Sequence, residues 1–143
     1  MKNTRAVIAA ASAAAVVSLT ACLSDPKEEA RVAVDQGCTD MGYTVDRQPA
    51  PPSGEMDSQD WMNLATRYND ISNKIAKASR QDPAWSALSN AVNDFQNVLV
   101  KTSHATDKSL TPAKQDVYWD EINRLDSKAM VTVISQECRK AQA

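Results

Sequence analysis

The chain predicts an all-α protein: an up-down three-helix bundle with an additional short N-terminal helix. Two observations carry that prediction. Along three successive segments, apolar residues recur three and four positions apart, the spacing that lines one face of a helix. Two of those segments, and the short helix before them, open with a cap residue followed by proline: Asp82-Pro83, Thr111-Pro112 and Asp25-Pro26. Proline suits the first helical position because its missing N–H would have no intrahelical partner there.

In chain order, the short helix starts at Asp25-Pro26 with Glu28 and Glu29 in its first turn. It is expected to end at Gln36, with Gly37 as the stop. Its apolar content is thin (Ala30, Val32, Ala33, Val34), so it needs a surface to lie on. From Thr39 to Glu55, Gly42, Pro49, Pro51, Pro52 and Gly54 break any regular element. Gln48 to Pro52 favours polyproline geometry, which reads as a connector or, alternatively, as a docking peptide.

The first bundle helix is capped at Asp57 or Ser58 and carries Trp61, Ala65, Tyr68, Ile71, Ile75 and Ala78. Its other face, with Asn63, Arg67, Asn69, Asp70, Asn73, Lys74 and Lys77, is wettable throughout. The second carries Trp85, Leu88, Val92, Phe95 and Leu99. The third carries Tyr118, Ile122, Leu125, Ala129 and Val133, and is expected to run unbroken toward Cys138. Short joints make these helices antiparallel neighbours crossing at about 20°. The run Ala129 to Ile134 is apolar nearly all round, which predicts cover on two sides. The short first helix is expected to dock there.

No constellation of catalytic residues stands out, so no enzyme is expected. His104 is the single histidine, and only three glycines occur, which removes a glycine-rich phosphate loop. No metal site, cofactor or haem attachment is expected. Asp116, Asp120 and Glu121 cluster near a helix start, where the helix dipole accounts for them. No basic cluster interleaved with aromatics appears, so a nucleic-acid role has no electrostatic footprint. Trp61 and Trp85 lie on their stripes and should pack in the core. Trp119 neighbours a stripe residue, and with Tyr118 behind it is the candidate contact for a partner.

Ahead of the helices, Lys2 and Arg5 precede an uncharged run from Ala6 to Val17, and Leu19-Thr20-Ala21-Cys22 closes it. That order of positive charge, short apolar core and small residues is a secretory signal rather than a spanning helix. Leu19-Thr20-Ala21-Cys22 closely resembles the lipobox of bacterial lipoproteins. The resemblance implies a lipid on the Cys22 thiol, cleavage just before it, and an extracytoplasmic membrane location. Residues 1–21 are then signal peptide, 22–56 a lipidated N-terminus with short helix and linker, and 57–143 the bundle. All 18 acidic residues but only 14 of the 16 basic ones lie after Ala21, so the mature part is mildly acidic. It offers no polybasic second contact, and attachment rests on the lipid; two acyl chains suffice for a stable anchor.

Lipidation of Cys22 leaves Cys38 and Cys138, which an oxidising compartment tends to pair. Such a bridge closes a long loop and could contribute up to about 4–5 kcal/mol in the chain-entropy model. Free thiols or a two-cysteine metal site are the alternatives. With the bridge formed, the Cys138 end faces the bilayer, and Trp61, Trp119 and the turn from Ser103 to Thr111 point away. The function expected is a non-enzymatic binding module of the cell envelope, engaging an envelope protein not identifiable from sequence. The alternatives are a lipoprotein that excludes phage or inhibits a toxin, a carrier of an apolar ligand between the helices, and an envelope hydrolase. The carrier requires a cavity above about 300 Å³.

Overall fold

The computed structural model describes residues 25–50 and 54–143. The segment expected to be a signal peptide, residues 1–21, and Cys22 lie outside them. The described chain is all-helical: α1 (Pro26–Asp40), α2 (Ser58–Gln81), a 3₁₀ turn (Pro83–Trp85), α3 (Ser86–Ala105), α4 (Pro112–Asn123) and α5 (Ser127–Gln142). Among the described residues no helix is long and apolar enough to cross a membrane.

Three of the start signals cap through their side chains, whereas Thr111 makes no side-chain cap bond at α4. The Asp25 carboxylate accepts the Lys27 N–H ahead of Pro26, and Asp82 accepts the Ala84 N–H ahead of α3. At α2 the satisfaction is reciprocal. Asp57 accepts the Asp60 N–H at 2.9 Å, and the Asp60 carboxylate accepts the Asp57 N–H at 3.2 Å. Two otherwise orphaned donors are thereby paired, an arrangement worth about 1 kcal/mol.

Two helix boundaries differ from the sequence expectation. Gly37 does not stop α1; the helix runs through it to Asp40. A Cβ at Gly37 would sit 3.1 Å from Ile75 Cγ1, so the glycine serves close approach to α2 rather than termination. The stop falls at Met41, whose N–H bonds to the Gly37 carbonyl, followed by Gly42 at a φ of 92°. The third bundle helix is two helices, broken across Arg124 to Asp126. The Leu125 N–H turns back to Ile122, and Asp126 accepts the Ala129 N–H at 2.9 Å to restart the chain as α5.

The core also differs in membership. One cluster joins Ala30, Val34 and Cys38 of α1, Ile71 and Ile75 of α2, Leu88 and Val92 of α3, and Ile134 and Cys138 of α5. So α1 is an integral layer rather than a strut on the bundle, and it lies chiefly against α2, less against α5. Fully enclosing Val34 and Ile75 contributes about 1.5–3 kcal/mol each relative to exposure. By contrast α4 buries none of its residues and packs chiefly on α3. Within the run Ala129 to Ile134, Ile134 is buried and Val133 packs on the core, whereas Ala129, Val131 and Thr132 are exposed. Met41 and Tyr43, within the connector, are buried too, so its first residues belong to the core.

Three contacts orient the ends. Arg31 donates to the Ala141 carbonyl, bringing the start of α1 to the end of α5. The Ser103 hydroxyl donates to the Ser58 carbonyl, bringing the end of α3 to the start of α2. Lys101 pairs with Glu121, laying α4 back along the end of α3. Chain entry at Asp25 and exit at Ala143 thus share one end, and α4 occupies the other.

Candidate functional site

Cys38 and Cys138 form a disulfide with Cα atoms 5.5 Å apart, 100 positions apart in sequence. It ties α1 to α5 and carries no exposed sulfur chemistry, since both residues are buried. Trp119 is 40% exposed, and Val117, two positions earlier on the helix, is 55% exposed. Tyr118 turns the other way, stacking on His104 with ring centroids 4.9 Å apart. The structure therefore separates Trp119 from Tyr118 rather than bringing them together, because neighbouring positions on a helix point about 100° apart. Glu121 of the acidic cluster is paired with Lys101. Among the described residues no group of three or more His, Cys, Asp or Glu could hold a metal ion.

A cleft of about 560 Å³ lies between α2 and α3. Trp61, Leu64 and Tyr68 line it from α2, at helical intervals of three and four. Phe95, Val98 and Thr102 line it from α3 with the same spacing. Matching the two triplets on antiparallel helices gives facing apolar surfaces. Tyr68 and Phe95 meet across the gap with ring centroids 5.3 Å apart and planes tilted by 56°. Met41, Tyr43, Pro49 and Ala50 of the connector and Val131 of α5 complete the lining.

The polar groups of the cleft are few. The Thr102 hydroxyl is committed to the Val98 carbonyl at 2.9 Å. Burial pushes the Tyr68 phenol up to about 12, because its ionised form would lose hydration there, and Tyr43 is raised for the same reason. Both rings stay neutral. Arg67 is the single charged lining residue, exposed at the rim, where its Nη2 donates to the Asp40 carbonyl.

Trp85 is buried as its stripe requires, but Trp61 stays half-buried and forms a cleft wall. Leu64 and Val98 fell off the stripes, and Arg67 belongs to the face read as wholly wettable. A second spacing, 61-64-68 beside 61-65-68, is the sequence signal for them. It shows a stripe wider than one contact line. Comparison with protein-family models, curated proteins and solved structures finds no match to this chain.

Proposed function

We propose that the chain is a lipid-anchored binding module on the extracytoplasmic face of a bacterial envelope, with no catalytic step of its own. The cleft between α2 and α3 is the observation that carries the binding half of this reading. Its volume of about 560 Å³ lies within the usual range of small-molecule sites. Its aromatic and aliphatic walls suit an apolar ligand, the carrier form of the module. The lipobox resemblance at Cys22 supports the anchor, and the approach of Asp25 to Ala143 at the end opposite α4 supports an orientation with the cleft facing away from the membrane.

Nile red, a neutral apolar dye, tests the cleft. The full-length chain carrying Cys22→Ser is expected to bind it with blue-shifted, brightened emission. Leu64→Asn, at a half-buried lining position, should weaken binding while leaving the unfolding midpoint close to that of the parent. Unchanged binding in Leu64→Asn and in Val98→Thr would move the site elsewhere. A second reading rests on α4, whose exposed Val117 and Trp119 suit contact with an envelope protein. In that case Trp119→Ala abolishes capture of the partner and leaves dye binding intact.

A further inference from the structure

We infer that the cleft holds the acyl chain of a free fatty acid, with the carboxylate on the Arg67 guanidinium. This rests on the cleft being the binding site, and deepens it by naming the ligand class. The first argument is what the walls lack. An extended peptide would bring main-chain N–H and C=O groups into a cleft whose hydroxyls are few and whose Thr102 is already engaged. Each buried group left unpaired costs about 1–3 kcal/mol. An acyl chain has no such groups.

The second argument is the placement of charge. Arg67 is the only ionised group among the lining residues, and it stands at the solvent edge rather than within the apolar walls. Its bond to the Asp40 carbonyl orients the guanidinium while using one nitrogen. Among the described residues no carboxylate lies within salt-bridge distance of it. Asp40, whose carbonyl Arg67 bonds, spends its carboxylate oxygens on Gln36 at 2.9 Å and Lys74 at 3.3 Å. Those bonds, with Arg67 nearby, hold the Asp40 carboxyl below its ordinary range, so the Asp40–Lys74 pair is internally balanced. The remaining donors of Arg67 match the paired oxygens of a carboxylate. An ammonium head group would meet like charge at the same place.

Displacement of Nile red from the full-length Cys22→Ser chain decides among ligand classes. Laurate, lauryl alcohol and lauryl trimethylammonium share a chain and differ in the head. Laurate should displace the dye at about tenfold lower concentration than the alcohol, one charge-assisted hydrogen bond's worth. The ammonium should be weakest. Arg67→Gln should erase the advantage of laurate over the alcohol when each is measured against that variant's own dye affinity, and Arg67→Lys should keep part of it. Equal displacement by laurate and alcohol would overturn the role of Arg67 while leaving an apolar site standing. Displacement by an apolar peptide but not by laurate would overturn the fatty acid. A chain that fails to bind Nile red at all would instead defeat the reading on which this inference rests.

Discussion

Helices α1 and α4 start alike and end up in opposite situations. Both are short, both open with a cap residue and proline, and neither has a rich apolar face. Yet α1 buries Ala30, Val34, Gly37 and Cys38, whereas α4 buries nothing. The difference lies in the size and arrangement of the side chains. In α1 the buried residues are small and fall at intervals of four, three and one, so the backbone settles against Ile71 and Ile75. In α4 the bulky Val117, Tyr118 and Trp119 are consecutive and point in three directions, so no one face can be buried. Close approach, more than hydrophobic content, decides which short helix joins a core.

The disulfide is the sharpest place to break this contrast. Replacing Cys38 and Cys138 together with alanine should cost about 2–4 kcal/mol in urea unfolding. Amide exchange in that variant should rise first in α1 and least across α2 and α3. A uniform rise would mean that α1 is held by its packing alone. Next in size is Gly37→Val, which forces branched carbons onto Ile75 and should cost about 1–3 kcal/mol. Gly37→Ala should be milder, because about 1 kcal/mol of helix propensity opposes the crowding. A large loss in Gly37→Ala would show that Ile75 has no room to give.

Tyr68 sharpens the comparison through pH. Its folded value of about 12 stands above its ordinary 10.0, because burial disfavours the phenolate. The folded state therefore keeps a proton that the unfolded chain releases. The stability tied to the neutral ring is complete below pH 10 and is lost as pH climbs toward 12. Thermal unfolding between these values should show a falling midpoint, and Tyr68→Phe should flatten much of that fall. The smallest effects belong to α4. Val117→Ala and Trp119→Ala should each shift stability by no more than about 0.5 kcal/mol. A larger shift would show that α4 is part of the core.

Much of this architecture is legible in the residues. Asp25-Pro26, Asp57 and Asp82-Pro83 mark helix starts because capping chemistry is local, and Thr111-Pro112 marks one through its proline, since Thr111 makes no side-chain cap bond. The stripes through Ile71, Ile75, Leu88 and Val92 mark core faces because helical spacing is local too. What could not be read there depends on the neighbour across the gap. Gly37 reads as a stop until Ile75 is placed against it. The break at Arg124 to Asp126 interrupts a stripe that continues in phase, and only Asp126 followed by Ser127 hints at a new cap. The cleft is the deepest case. A stripe announces that Trp61, Tyr68 and Phe95 face inward, but whether opposing helices close over them is a property of the pair. Arg67 gains its place at the rim only through that pairing.

Attachment to a membrane through Cys22 is proposed for this module, and one comparison tests it most directly. The full-length chain and its Cys22→Ser variant are expressed in a bacterium, fractionated, and weighed as intact proteins. The expected result is a wild-type chain in the membrane fraction, starting at Cys22 and heavier by its lipid, with the variant lacking both the added mass and the attachment. A wild-type chain that is unmodified and free of the membrane would contradict the account, leaving Cys22 a third thiol and the cleft without its proposed setting.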